Sequence, residues 1–358
     1  MTGGGALSYA SPLRVTNPLP GGHGWLPIGA SGLDRLSVHR HRVVLRAEER
    51  AIVPPTRLPN MLRGAFEIAF RRLVCHDLTL DCRECPLLGQ CPYPAVFRPA
   101  PPPGAERLSR AQDLPRPFLF EPPLSGGDTL PGGEQMALGL TLIGRTASLL
   151  PYFVVALRAL ADRGLGPTRA RLTLVRVTAE TAEGPHVVFS EGAPVVSPCA
   201  AGLRLPDLAQ DGDAAATRVR VRFLTPTTLR RDGRLIERPA FSDLVCRLRD
   251  RVSALAAFFG DGPVDMDFAG VAVAAAEVRT IECRTAWERR TRRSARTGQV
   301  HETSGFVGEA VYEGELGRWM PLLRLGEVVH VGKYAVWGNG WVDVDRIIDP
   351  VCSLFGER

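Results

Sequence analysis

The sequence predicts an α+β protein made of two tandem ferredoxin-like (RRM-like) domains, with a small metal-binding insertion in the first. Segments that alternate arginine with Val and Leu indicate half-buried strands, and apolar residues at helical spacing indicate amphipathic helices between them. These segments follow the order β-α-β-β-α-β twice, which is the order of the ferredoxin-like fold. A length of 358 residues, 45% of them hydrophobic, also favours two domains over one.

The first series of elements is predicted within residues 36–206, after an irregular leader at 1–35 that is rich in Gly, Pro and Ser. Pro54 and Pro55 end the first strand, and Pro59 opens the first helix. A proline-rich stretch at 99–103 predicts an extended connector. The predicted strands and helices are, in order, strand 37–47, helix 60–74, strand 118–121, strand 134–143, helix 147–163 and strand 169–178.

The second series is predicted within residues 217–358, after an acidic, glycine-containing linker at 207–216. Two β-rich segments close the series, at 328–331 and 334–337, on either side of a Gly-Lys pair. The elements before them are predicted as strand 218–224, helix 241–259, strand 272–286, strand 305–313 and helix 319–325. The two halves share no residue-level repeat, so the duplication is one of topology.

The charge of the chain favours a polyanionic partner. The formal net charge is +6 and the isoelectric point is about 9.1. Of the 44 lysines and arginines, Lys333 alone is a lysine, which indicates that a compact ammonium group is wanted at that position. No apolar run reaches the roughly 20 residues that span a bilayer, and the N-terminus lacks a signal pattern. We therefore expect a cytoplasmic protein without a membrane segment.

Four cysteines lie in the segment 75–98, which is the predicted insertion. Their spacing is Cys75-x6-Cys82-x2-Cys85-x5-Cys91. A C-x2-C pair holds one metal ion through a tight turn, and two flanking thiolates complete a tetrahedron. Structural zinc is expected; an iron–sulfur cluster also takes four thiolates, and His76 offers an alternative ligand. No catalytic metal is expected.

A glycine-rich loop at 332–340 has the composition of a phosphate-binding site. Glycines at 332, 338 and 340 permit positive φ angles, and the exposed N–H groups of such a loop can form a nest for phosphate oxygens. Lys333 adds a point charge to the loop. Three aromatic residues in or beside it, Tyr334, Trp337 and Trp341, are candidates for stacking on bases. The alternative is a hairpin turn whose aromatic rings belong to the core. The predicted RNA-binding residues of the loop are Gly332, Lys333, Gly338 and Gly340.

A second candidate RNA-binding segment is dense in arginine, whose planar guanidinium group matches phosphate oxygens and stacks on bases. A solvated loop is the alternative reading of such a charge run. Arg230, after the Thr-Pro turn, is a weaker candidate. The arginines of the segment are Arg284, Arg289, Arg290, Arg292, Arg293 and Arg296.

Three stretches resemble the CRISPR repeat-RNA processing endoribonucleases of the RAMP superfamily. The first is LPNMLRGAF at 58–66, with the cysteine cluster that follows it, and the second is FLTPTTLR at 223–230. The third is GFVG at 305–308 together with HVGKYAVWGNG at 330–340. The resemblance spans residues 58–340. It implies a protein that binds CRISPR repeat RNA and cleaves precursor crRNA, with other CRISPR effector subunits as further partners.

The resemblance also implies a reaction that requires no metal. The 2′-OH of the RNA attacks the neighbouring phosphate and leaves a 2′,3′-cyclic phosphate, which needs a base, an acid and a group that stabilises the phosphorane. The usual base of the family is a histidine near the first helix, but residues 60–74 contain no His, Tyr or Lys. The candidate bases are, in order, His76, His330, His41 and His39.

Two other functions are compatible with the sequence. The first is a non-catalytic RAMP subunit that holds guide RNA in an effector complex. This alternative stays open because the first helix lacks the histidine that would act as the base. The second is a zinc-stabilised RNA-binding protein unrelated to CRISPR, which would bind RNA broadly without preference for a repeat.

Overall fold

A computed structural model describes residues 30–99, 114–197, 199, 201–293 and 299–347. Three predicted features lie partly or wholly outside these residues: the leader up to residue 29, the proline-rich connector from residue 100 onward, and Arg296. No helix in the described ranges combines the length and the apolar character that crossing a bilayer requires.

The first domain is a five-stranded antiparallel sheet with two long helices on one face. Its strands lie in the order β2-β3-β1-β4-β5, and the first four of these have the ferredoxin-like order. The short helix α2 belongs to the cysteine insertion. The elements are β1 Val38–Ala47, α1 Leu58–Val74, α2 Pro92–Phe97, β2 Phe118–Glu121, β3 Gln135–Ile143, α3 Leu150–Arg163, β4 Leu172–Thr181 and β5 Gly184–Ser190.

An aromatic cluster fills the core between the helices and this sheet. Phe66 on α1 lies 5.1 Å from Phe153 on α3 and 5.3 Å from Phe120 on β2, measured between ring centroids. Phe97 from α2 packs into the same cluster, 6.0 Å from Phe66. Each of these rings is almost fully buried. The burial of such large apolar side chains holds the insertion to the domain.

The second domain has a four-stranded antiparallel sheet in the order β7-β8-β6-β9, which is again the ferredoxin-like order. An additional helix, α5, lies between the first helix and the second strand of this domain. The elements are β6 Arg218–Thr227, α4 Phe241–Phe259, α5 Phe268–Ala276, β7 Arg279–Glu288, β8 Gly305–Glu313, α6 Met320–Val329 and β9 Val342–Arg346.

Besides 3-10 turns, the described residues also form four short strand pairs and one short helix. The pairs are Ala30–Ser31 with Asp265–Met266, Ala51–Ile52 with Thr129–Leu130, Leu229–Arg231 with Arg234–Ile236, and Thr291–Arg293 with Val300–Glu302, and the helix is Leu205–Leu208.

The two domains contact each other through the sheet faces that carry no helices. Val44 on β1 and Ala137 on β3 pack with Leu224 on β6 and with Trp341, which is fully buried. A short hydrophobic cluster between the outer faces of the two sheets therefore joins the domains.

The predicted α+β class with two ferredoxin-like folds is confirmed, but several predicted elements were wrong. The strand predicted at 272–286 is a helix up to Ala276 and a strand only from Arg279. Asp267 begins that helix, because its side chain accepts hydrogen bonds from the N–H groups of Ala269 and Gly270. The β-rich segments predicted at 328–331 and 334–337 are the end of α6 and a 3-10 turn; the closing strand is β9. Strand β5 was not predicted.

The predicted linker at 207–216 is packed against the second domain. Asp213 in this segment is buried and accepts two hydrogen bonds, at 2.9 and 3.0 Å, from the buried guanidinium group of Arg324. The last residues of the predicted leader are also structured, since Ala30–Ser31 pairs with Asp265–Met266 and Leu33 is buried in the core of the second domain. A charge pair and apolar burial therefore fix segments that composition alone indicated to be irregular.

Candidate nucleic-acid interface

The glycine-rich loop, residues 332–340, follows α6 and reverses the chain before β9. A Cβ on Gly340, where φ is +71°, would lie 1.8 Å from the carbonyl oxygen of Val331. Gly332 and Gly338 also have positive φ angles, at +80° and +76°. These three positions need glycine because an L-residue with a side chain is strained or blocked there.

The loop packs onto the first domain at the N-terminal part of α1. A Cβ on Gly338 would lie 2.9 Å from the carbonyl oxygen of Phe120 and 3.2 Å from the Cβ of Pro59. The guanidinium group of Arg63 on α1 lies over the ring of Trp337, 5.4 Å from its centroid. The glycine-rich loop and α1 therefore form one continuous surface across the domain boundary.

Hydrogen bonds tie the loop to two other segments that the sequence had singled out. The N–H of Lys333 donates to the carbonyl oxygen of Thr228 at 3.3 Å. The hydroxyl of Thr228 donates to the carbonyl oxygen of Ser304 at 2.7 Å, and the side-chain amide of Asn339 donates to that of Thr303 at 3.0 Å. The side chain of Lys333 is exposed. The loop is thus fixed while its cation faces solvent.

Arg290 brings the arginine-rich segment to the same place. Its guanidinium group donates to the carbonyl oxygen of Thr56 at 3.4 Å, just before α1 begins. Its N–H donates to the hydroxyl of Ser304 at 3.0 Å. Arg57, the N-cap residue of α1, is exposed, and no described side chain caps this helix. The N–H of Leu58 already donates to the carbonyl oxygen of Pro54 at 2.8 Å and Pro59 has no N–H, so the helix dipole, and not a set of free N–H groups, favours an anion at this end.

Ion pairs and hydrogen bonds engage several of the predicted arginines, including Arg290, whose guanidinium group also pairs with Glu288 and is 19% exposed. Arg284 forms ion pairs with Glu282 and with Glu309, the latter at 3.8 Å. Arg230 is exposed and donates to the carbonyl oxygen of Gly233 at 2.6 Å.

The remaining members of the arginine-rich segment are placed only in part. Arg289 is exposed. Arg292 and Arg293 lie on the short strand Thr291–Arg293, where the structure describes their backbone. The predicted basic segment is therefore partly neutralised, and Arg290 is the member that reaches the glycine-rich loop region.

The aromatic residues of the loop are mainly structural. Trp341 is fully buried and stacks on the ring of His330, with centroids 5.8 Å apart and planes 8° apart. It therefore cannot stack on a base as the sequence suggested. Tyr334 and Trp337 stack on each other at 4.8 Å and are half-buried. These two rings brace the loop and leave limited area for a base.

Two of the four candidate histidines are buried. His330 is fully buried, and its Nδ1 lies 3.1 Å from the carbonyl oxygen of Asn339. His41 is 3% exposed, and its Nδ1 lies 3.4 Å from the carbonyl oxygen of Leu140. Burial lowers the pKa of each imidazole to about 4. Both rings are thus neutral at neutral pH, and neither reaches solvent where RNA would bind.

The other two candidate histidines reach solvent. His39 is half-buried beside Gly202, and burial followed by the charge of Arg204 lowers its pKa. His76 is exposed and lies in the cysteine insertion just after α1. Neither is among the residues that the contacts above place around Lys333. The structure therefore does not bring the four histidines together.

A buried polar cluster lies at the domain boundary next to His330, and no sequence pattern predicted it. Glu121 on β2 accepts a hydrogen bond from Arg40 at 3.1 Å and from the hydroxyl of Thr141 at 3.1 Å. Its carboxylate also lies 3.9 Å from Nε2 of His330. Arg40 forms a second ion pair with Glu180 at 2.8 Å. The charges of Arg40, Glu121 and Glu180 are paired within the first domain, so the cluster places a hydrogen-bonded carboxylate beside the neutral ring of His330 at the domain boundary.

The predicted metal ligands lie apart from this interface. Cys75, Cys82, Cys85 and Cys91 are free thiols that line one cavity at the far end of α1. In the described ranges, no group of three or more His, Cys, Asp or Glu side chains is already arranged to hold a metal ion.

The fold and this loop define the architecture: two tandem ferredoxin-like folds with a glycine-rich loop before the last strand of the second. Residues 221–342 match the family model of CRISPR-associated endoribonuclease Cas6, and residues 36–200 match a model described as an N-terminal domain. The second domain therefore matches an endoribonuclease family that is named for CRISPR-associated Cas6.

Solved structures show the same fold at low sequence identity. The product complex of a Cas6 protein from Thermus thermophilus is 18% identical, with a TM-score of 0.50, over 86% of this chain and 99% of that chain. A chain of a partial Cas6-RT-Cas1–Cas2 complex is 13% identical, with a TM-score of 0.50, over 88% of this chain and 47% of that chain. No curated protein sequence matches the chain.

Proposed function

We propose that this chain is a cytoplasmic endoribonuclease that cleaves precursor crRNA at its repeats by metal-independent attack of a 2′-OH. The bond from O2′ to phosphorus forms, the bond from phosphorus to the 5′-oxygen breaks, and a 2′,3′-cyclic phosphate remains. A base takes the proton of the 2′-OH, and an acid returns a proton to the leaving 5′-oxygen. The processed RNA then passes to other CRISPR effector subunits.

The observation that carries the proposal is the convergence of positive groups where the domains meet. Lys333 extends into solvent from a loop of positive-φ glycines. Arg290, which is also paired with Glu288, reaches the carbonyl oxygen of Thr56 two residues before α1, and the dipole of α1 favours an anion at this end. We name this surface the junction surface: Lys333, Arg290, Arg57 and the first turn of α1. A phosphate bound there would be held from both domains.

The junction surface supplies electrostatic stabilisation more clearly than it supplies a base. Fixed cations and N–H groups that face a phosphorane stabilise it without reorganisation, which is commonly the largest catalytic contribution. Of the candidate bases, His39 and His76 reach solvent, whereas His41 and His330 do not. We therefore keep His76 and His39 as candidate bases and assign His330 a structural role against Trp341 and Glu121.

The experiment is incubation of the purified chain with labelled repeat RNA from the host, with and without EDTA. A parallel set of substrates carries a single 2′-deoxy substitution at each position in turn. We expect one cut at one site, unchanged by EDTA and abolished by one deoxy substitution, with a 2′,3′-cyclic phosphate on the 5′ fragment.

Two results would contradict the proposal in different ways. Cleavage that EDTA abolishes would require a metal in the reaction. Tight binding of the repeat with no cut would identify a subunit that holds guide RNA. A non-repeat RNA of equal length and charge is the control. Non-specific electrostatic binding is the same for both RNAs and falls steeply with salt, so any difference between them reports recognition of the repeat.

A further inference from the structure

The cysteine loop, residues 75–91, connects α1 to α2 and lacks a core of its own. The structure describes all of these residues, and none of them is buried. Three leucines that would normally seek burial are largely exposed: Leu78 at 47%, Leu87 at 48% and Leu88 at 43%. A segment of this length with so little apolar burial does not offset the entropy of ordering its backbone. Some other interaction is needed to fix it.

The four thiols occupy the positions at which the loop turns. Cys75 is the C-cap residue of α1, and Cys91 is the N-cap residue of α2. Cys82 begins a 3-10 turn, and Cys85 ends it with its N–H donating to the carbonyl oxygen of Cys82 at 3.3 Å. All four are half-buried, and they line one cavity together with His76. The chain thus folds around the thiols.

We propose that Cys75, Cys82, Cys85 and Cys91 bind one structural zinc ion. The Cys82–Cys85 pair has the spacing with which a tight turn grips a metal, and the two cap cysteines close the site from either helix. Soft thiolate ligands in a tetrahedral set favour zinc over harder divalent ions. The described side chains are not yet at ligand positions, and the thiol of Cys75 donates to the carbonyl oxygen of Asp77 at 3.0 Å. Binding therefore rotates thiols toward the cavity and deprotonates them.

The surroundings suit an anionic metal centre. Four thiolates and one Zn²⁺ carry a net charge of about −2. The guanidinium group of Arg71 on α1 donates to the carbonyl oxygens of Leu78 and Leu80, at 3.1 and 3.2 Å, and so lies against the loop. Arg71 and Arg98 both lie over the ring of Tyr93, at 5.7 and 5.9 Å. Positive charge is therefore present beside the loop that carries the ligand set.

Through α2 the zinc site would stabilise the helix that carries the junction surface. The hydroxyl of Tyr93, two residues after Cys91, donates to the carboxylate of Glu67 on α1 at 3.0 Å. Phe97 packs on Phe66 of the same helix. The ion would thus clamp the C-terminal end of α1, whose other end meets the glycine-rich loop. This inference concerns folding and does not depend on the proposed cleavage chemistry.

The first experiment measures zinc in the full-length chain, purified in reductant, by inductively coupled plasma mass spectrometry. We expect one zinc per chain, lost in the double variant Cys82→Ser/Cys85→Ser and kept in the control variant Cys246→Ser/Cys283→Ser. X-ray absorption of the unaltered chain should show four sulfur ligands at about 2.3 Å. This measurement needs no variant to fold.

Three outcomes would overturn the assignment. A chain that is folded and free of metal when zinc is supplied during expression excludes the site. Zinc retained by the Cys82→Ser/Cys85→Ser variant places the ion elsewhere. Iron with visible absorption near 400 nm, in place of zinc, identifies an iron–sulfur cluster.

Discussion

The buried histidines should make the fold sensitive to mild acid. Burial lowers the pKa of His41 and of His330 from 6.5 to about 4. At these two sites the unfolded chain therefore binds more protons than the folded chain between these values, so the contribution of each histidine to stability is full above pH 6.5 and falls as the pH drops toward 4. Glu327 acts in the opposite direction, because burial raises the pKa of its carboxyl to about 7. Each pH unit below 6.5 costs about 1.4 kcal/mol per histidine, so pH 5 costs about 2 kcal/mol for each.

Several charged groups near these two rings also influence their pKa values. Glu121 lies 3.9 Å from His330 and favours its protonated form, whereas the nearby charges of Arg251 and Arg40 oppose it. His41 faces His39, which opposes its protonation. Desolvation is the largest effect for both rings, so the direction of the pKa shift is set by burial.

The assay is urea denaturation at a series of pH values from 7.5 to 5, followed by circular dichroism. The variant His330→Asn should lose about 2 kcal/mol less than the unaltered chain between pH 7 and pH 5, whatever its stability at pH 7. His186→Asn, at an exposed histidine, is the matched control and should leave the pH dependence unchanged. Equal pH dependence in the unaltered chain and His330→Asn would refute the reasoning.

Three further predictions test the interface and the packing. Lys333→Ala should weaken repeat-RNA binding and lower the slope of log K against log salt by about 1. The control Arg158→Ala, at an exposed arginine, should change neither quantity. Fluorescence anisotropy at several salt concentrations measures both. Gly338→Ala should destabilise the fold by more than the roughly 1–2 kcal/mol expected for Gly133→Ala. Both glycines have positive φ, but only a Cβ at position 338 would contact neighbouring atoms. Equal midpoints of the two variants in thermal unfolding would contradict this. Asp213→Ala should lower the free energy of unfolding, measured by urea denaturation, by about 3 kcal/mol, because it leaves the buried Arg324 without one of its partners. A loss under about 1 kcal/mol would show that residues 207–216 act as a loose linker.

The element order could be predicted from the sequence because amphipathic periodicity is a local property. Helix α4 and strands β2 and β8 were predicted at their observed bounds. Prediction failed where local signals compete. The run 268–276 is rich in Ala and Val, which fits either a strand or a helix, and the N-cap Asp267 that decides for a helix was overlooked. All residues of α6 are buried, so its sequence shows no polar face to mark the helical period.

The sequence by itself determined that three glycines of the glycine-rich loop permit positive φ and that one lysine stands among them, whereas the positive φ of Tyr334 appeared only in the structure. It also determined the spacing of the four cysteines. Only the tertiary structure decided which of these side chains reach solvent. Lys333 is exposed while Trp341 and His330 are buried, because the loop lies between the two sheets and packs on α1 and β2. Burial and ion pairing depend on residues far apart in the chain, as in the contacts of Glu121 with Arg40 and His330, and no local pattern encodes them.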